Sequence, residues 1–147
     1  MVMTHRRLLR LIDSDRIKAA IKKAERRTSG EICVSVSRLF WGSIEKAADK
    51  AFGRLGMRQT KDRNGVLFFV VPSRRRFLVL GDEGIHAKVG QQFWRRVADR
   101  VSERFREGDF TSGLIEGIEE VGEQLAAHFP YDSTADVDEL TNDVDFE

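Results

Sequence analysis

Apolar residues recur along this chain with two different periods, and the switches between them mark out its elements. Residues 14–27 carry Ile17, Ala20, Ile21 and Ala24 at helical spacing, with Asp13 or Ser14 placed to cap the start and Gly30 just past the end. Glu31–Ser37 alternates instead: Ile32, Val34 and Val36 fall on one face and Cys33 and Ser35 on the other, the two-residue period of a strand. Ser43–Leu55 returns to helical spacing, with Ser43 as cap, Ile44, Ala47, Ala48, Ala51, Phe52 and Leu55 on the apolar face, and Gly56 at the end. Val66–Val71 and Phe77–Leu80 are short apolar runs flanking Pro72-Ser73-Arg74-Arg75-Arg76, which predicts a β-hairpin. A helix over about Gln91–Arg106 presents Phe93, Trp94, Val97, Val101 and Phe105. After a break at Gly108-Asp109, Thr111 can cap a last helix, Ser112–His128, with Leu114, Ile118, Val121, Leu125 and Phe129 inward and Pro130 as stop. Gly113 and Gly117 cost on the order of 1 kcal/mol each against alanine in a helix interior. Their spacing predicts a close approach to a neighbouring element.

A strand, a helix and a strand in sequence form a right-handed crossover, so the first two strands are expected to be parallel. The hairpin then adds an antiparallel strand, and the sheet is mixed. In that arrangement Glu31, Asp62 and Asn64 enter one edge, and Asp82 and Glu83 leave it. Carboxylates brought together in this way cost electrostatic energy unless a cation or a proton relieves them. This edge is the foremost candidate site.

Charge sharpens the picture. All 25 Lys and Arg precede Tyr131, against 17 acids, so residues 1–130 carry a net +8. Residues 131–147 hold seven acids and no base, which suggests a disordered acidic tail or a tail that folds over the basic body. At 147 residues, 41% hydrophobic and 33% charged, the chain fits one globular domain over residues 1–130 plus that tail. The single cysteine, Cys33, sits in an alternating strand and reads as a small buried hydrophobe. With no intrachain disulfide available, a reducing, cytoplasmic setting is expected. The longest apolar run, Val66–Val71, is far too short to span a bilayer, and the basic N-terminal segment, interrupted by Arg10, does not read as a signal peptide.

Four local motifs in order carry a resemblance. They are Thr28-Ser29-Gly30-Glu31-Ile32, Asp62-Arg63-Asn64-Gly65-Val66-Leu67, Gly81-Asp82-Glu83-Gly84-Ile85, and Phe105-Arg106-Glu107-Gly108-Asp109-Phe110 followed by Gly113. Together they span about residues 14–130, and the chain resembles the TPM-domain family. The resemblance implies an α/β sandwich, a single domain with a small mixed sheet and helices on both faces. It also implies an acidic divalent-cation site for Ca²⁺ or Mg²⁺ at one sheet edge, and acid phosphatase activity in one branch. Carried onto this chain, the metal ligands would come from Asp62, Asn64, Asp82, Glu83 and Asp109, with Glu31 beside them. Two positions depart from the family pattern: Arg63 separates the acid from Asn-Gly, and His86 stands where the family has Glu.

These residues support competing chemistries. Calcium takes six to eight oxygens, which loop carboxylates and glycine-rich carbonyls can supply. Phosphomonoester hydrolysis needs a metal-polarised phosphate and an activated water, with Asp62 and Asp82 holding the metal and His86 or Glu83 as acid or base. The alternative is structural: Asp62 starts a turn, Asp82 and Asp109 cap helices, and the domain is an accessory or interaction module with a protein partner. At the far end of the hairpin, Arg74, Arg75 and Arg76 read as a charged turn protecting a sheet edge, or as a contact with phosphate or an anionic surface. Arg96, Arg100 and Arg104 line one helix face with Asp99 and Glu103 nearby, a solvated pattern, and nucleic-acid binding is not expected. Trp41, after Leu39-Phe40, is expected to cover the core.

Overall fold

A computed structural model describes residues 5–39, 41–131 and 144–147. The helices are α1 (His5–Leu11), α2 (Ser14–Glu25), α3 (Ile44–Arg54), α4 (Glu83–Arg106) and α5 (Phe110–His128). The strands are β1 (Glu31–Val36), β2 (Gly65–Val71), β3 (Arg76–Gly81) and β4 (Asp145–Phe146), in the sheet order β3-β2-β1-β4. As the connections require, β1 runs parallel to β2, and β3 returns antiparallel. Alternation then divides the core. Ile32, Val34, Val36, Val66, Phe68, Val70 and Phe77 face α2, α4 and α5. Cys33, Leu67, Phe69 and Val71 face α3 and Met57. Every residue of β2 is buried, as befits a central strand covered on both faces.

Two helix starts and one loop residue differ from the sequence expectation. The long helix begins at Glu83, eight residues before Gln91, because Asp82 caps it. Gly90, at φ 77°, kinks it where the polar pair Gln91-Gln92 follows. The last helix is capped by Asp109, whose carboxylate accepts from the Ser112 N–H, rather than by Thr111. Phe110 thereby enters the core edge-on to Phe105, and Thr111 accepts from the Asp13 N–H instead. Trp41 is 70% exposed and does not cover the core. Gly42, at φ 93°, turns the chain into the Ser43 cap, and Ile44 and the partly buried Leu39 take the positions against the second core.

The end of the acidic tail is part of the sheet. Asp145 and Phe146 pair with Ser35 and Val36 in parallel. Ser35 donates to Asp145 at 2.8 Å, and Arg54 reaches both Asp145 and Glu147 at 2.7 Å. Residues 132–143, which carry most of the tail's charge, lie outside the described residues.

The glycine spacing on α5 proves to be a packing device. A Cβ on Gly117 would lie 2.9 Å from the Phe68 ring and 3.0 Å from Val101. One on Gly122 would lie 2.9 Å from Ala24 of α2. The helix can sit this close to the sheet, α4 and α2 only without those side chains.

Candidate functional site

Strand register builds the acidic edge. Glu31 stands opposite Gly65 and Val66 opposite Gly81, so the residues just outside β2 and β3 meet. The Glu31 N–H donates to the Asn64 carbonyl, and the Asp82 N–H donates to the Gly65 carbonyl at 2.9 Å. The loop before β2 also clasps the start of α4: the Gly84 N–H donates to the Arg63 carbonyl at 2.8 Å. Glycine is required at that contact, since a Cβ would lie 2.1 Å from the Asp62 carbonyl oxygen.

Asp82 is a buried acid of the site, 6% exposed. One carboxylate oxygen accepts from Arg63 Nε at 2.6 Å, and the other accepts from Arg63 Nη2 at 3.0 Å. The same carboxylate accepts from the Glu83 N–H at 2.8 Å, capping α4. Arg63 reaches this position from a left-handed backbone, φ 51°, and its Nη1 also lies 3.1 Å from the exposed Glu83 carboxylate. The Asp82 hydrogen bonds hold the Arg63 guanidinium above its ordinary pKa. The side chain that interrupts the family pattern is therefore the counter-ion of the acid that the pattern would give to a metal.

The remaining candidates divide. Asn64 is buried; its N–H donates to Thr60 Oγ1 and its amide to Ser29 Oγ at 3.3 Å, while Oδ1 has no hydrogen-bond partner among the described residues. Glu31 is buried at the start of β1, and Asp62 is exposed. His86 is exposed on the first turn of α4, where Nδ1 accepts from the Trp94 indole at 3.0 Å. Asp109 does not join the edge. It caps α5 beside the end of α4, and that end is at the hairpin tip, where Arg75 donates to the Arg106 carbonyl.

Two residues to which the sequence reading gave no site role, Glu25 and Thr28, complete the polar surroundings. Glu25, 9% exposed, accepts from the Ile32 N–H at 2.9 Å. Its signal was positional: it follows Ile17 and Ile21 at intervals of four, a charged residue on an apolar stripe. Thr28 is buried and donates to the Leu125 and Phe129 carbonyls, while accepting from the Gly30 N–H, so it ties the approach to β1 to the end of α5. Cys33 lies beyond them. Burial first, then the negative charges of Glu25, Glu31 and Asp145, push its thiol up to about 12, which makes it a poor nucleophile.

A resident calcium or magnesium ion fits this set poorly. Both oxygens of Asp82 are taken by Arg63, Asp109 stands at the other end of the sheet, and what remains is the exposed Asp62 and Glu83 with the buried Glu31 and Asn64 Oδ1. Among the described residues no three His, Cys, Asp or Glu side chains gather as a metal-binding group.

The TPM domain family model matches residues 2–124. The chain belongs to the TPM-domain family. It is similar to the BA42 protein of the psychrophilic bacterium Bizionia argentinensis, whose NMR structure aligns at 35% identity and a TM-score of 0.82, covering 92% of this chain and 95% of that one. Two solution structures share the fold at lower identity. The N-terminal domain of a P. gingivalis protein aligns at 22%, with a TM-score of 0.63 over 90% of this chain and 99% of that one. The N-terminal domain of cg2496 from Corynebacterium glutamicum aligns at 15%, with a TM-score of 0.61 over 84% and 76%. No curated protein matches the chain. Among the described residues, no helix of this TPM domain is long and apolar enough to cross a membrane.

Proposed function

We propose that this TPM domain is an accessory or interaction module, with an acidic edge closed by its own arginine rather than kept open for a catalytic metal. The observation that carries this reading is the two-pronged contact of Arg63 with buried Asp82, at 2.6 and 3.0 Å. A paired guanidinium and carboxylate is among the stronger charge-assisted arrangements. It supplies the positive charge that a buried carboxylate needs. Metal-dependent phosphoester hydrolysis would require those same oxygens for the ion. The placement of His86, with one ring nitrogen engaged by Trp94, adds no support for a general base at the edge.

A two-dimensional amide NMR titration with Ca²⁺ and Mg²⁺, run beside an aryl phosphate assay, tests the proposal. The expected result is no saturable shift at Asp62–Gly65 or Asp82–Ile85 at millimolar metal, and no turnover that depends on Asp62 or Asp82. Saturable shifts at both loops would overturn it and restore the divalent-cation site. Turnover abolished by Asp62→Asn and Asp82→Asn would restore the phosphatase.

A further inference from the structure

The opposite end of the sheet carries the molecule's other unusual feature. Leu39 and Gly42, beyond the end of β1, are each tied to the turn between β2 and β3: Ser73 Oγ donates to the Leu39 carbonyl at 3.2 Å, and Arg74 donates to the Gly42 carbonyl at 3.0 Å. The turn is itself anchored to α4, since Arg75 donates to the Arg106 carbonyl at 3.1 Å. This frame presents Trp41, 70% exposed; the next most exposed large apolar side chain among the described residues is Tyr131, at 50%. At the same end stand Arg38, Arg74, Arg75 and Arg76. The acids near them include Glu45, 3.7 Å from Arg76, Asp109, which caps α5 beside the end of α4, and Glu147, which is paired with Arg54 and whose carbonyl accepts from Arg38 at 2.9 Å.

We propose that Trp41 and the arginine turn form a docking surface for an anionic lipid membrane. The chemistry matches on both counts. An indole settles at the headgroup level, with its apolar body in the acyl boundary and its N–H toward water. Arginines bind phosphate and are drawn to a negatively charged leaflet, at a gain of roughly fivefold in binding for each basic residue near the surface. The seven acids of residues 131–147 bring the +8 of residues 1–130 down to +1 for the whole chain, so the attraction rests on the arginines of this end and not on overall charge. A protein partner fits less well, because among the described residues of this end Trp41 is the one large apolar side chain that stands exposed, without the apolar centre of a protein interface. Single-stranded nucleic acid fits less well too, because binding along a strand needs successive stacking platforms. The surface is separate from the Arg63–Asp82 edge, so it stands or falls independently of the role assigned there.

Co-sedimentation of the full chain with phosphatidylcholine vesicles, with and without phosphatidylserine, tests this docking surface. Binding is expected only when phosphatidylserine is present, with a blue shift of Trp41 emission that salt reverses. Trp94 is buried and contributes a constant background. Trp41→Ala should weaken binding roughly tenfold or more. Arg75→Gln with Arg76→Gln should weaken it about thirty-fold. Both variants alter exposed positions, and their amide spectra should match the wild type away from the tip. Absence of binding, equal binding to both vesicles, or undiminished binding by Trp41→Ala would overturn the proposal. So would preference for a single-stranded oligonucleotide over the vesicles, which would assign the surface to nucleic acid.

Discussion

Asp82 and Arg63 show how much one residue's neighbour decides. From the sequence, Asp82 was equally a metal ligand and a helix cap, and it does cap α4 through the Glu83 N–H. Its second duty, accepting both prongs of Arg63, depends on two loops 19 residues apart in sequence. The two partners should respond unequally to substitution. Asp82→Asn keeps a capping oxygen and leaves Arg63, which is partly exposed, to re-solvate. Arg63→Asn tolerates the left-handed backbone but strands a buried carboxylate. Urea unfolding should therefore rank Arg63→Asn as the more destabilised, with Asp82→Asn partly rescuing it in the double variant. Additive losses would mean that the pair contributes no coupling. Asp82→Ala should cost about 1 kcal/mol more than Asp82→Asn, through loss of the cap.

Elements follow the hydrophobic pattern wherever burial alone fixes it, and depart from it where local chemistry intervenes. β1, β2, β3, α2 and α3 stand close to their expected places because alternation and helical spacing directly encode burial. The extra turns at the start of α4 were hidden by Gly84 and Gly90, which read as loop residues until Asp82 is seen to cap them. The glycines of α5 could be read as a close approach, but not against what. Gly117→Ala should raise helix propensity yet destabilise the protein by about 1–3 kcal/mol, because the added carbon meets Phe68 and Val101. A gain in urea stability on that substitution would mean that α5 can move away from the sheet. At β4, burial would raise the pKa of Asp145, but hydrogen bonds from Arg54 and Ser35 more than offset it and hold the carboxyl below its ordinary value. Its contribution is thus complete above about pH 4 and is lost as pH falls through the lower folded value. Exchange of the Glu147 amide, whose N–H donates to the Val36 carbonyl, should rise relative to the β2 amides below that pH, and a ratio that stays constant there would contradict the assignment.

For the whole molecule, the central strand β2 separates two ends of different character. At one end an acid is neutralised internally by Arg63; at the other an aromatic and several arginines face outward. With β2 seven residues long, these ends are about 20 Å apart, too far to act as one site. Hydrophobic periodicity by itself determined the α/β class, the parallel and antiparallel pairings, and the meeting of Glu31, Asn64 and Asp82, because those depend on local period and chain connection. The four local motifs also carried the family, and the matched TPM domain agrees with them. Only the tertiary structure decided that Arg63 takes Asp82, that Asp109 stands at the other end, that Trp41 is exposed, and that Asp145 pairs beside β1. Each of those depends on where a side chain points once distant segments have packed. Periodicity carries no information about that direction, since the same spacing is compatible with a cap, an ion pair, a metal ligand or an exposed anchor.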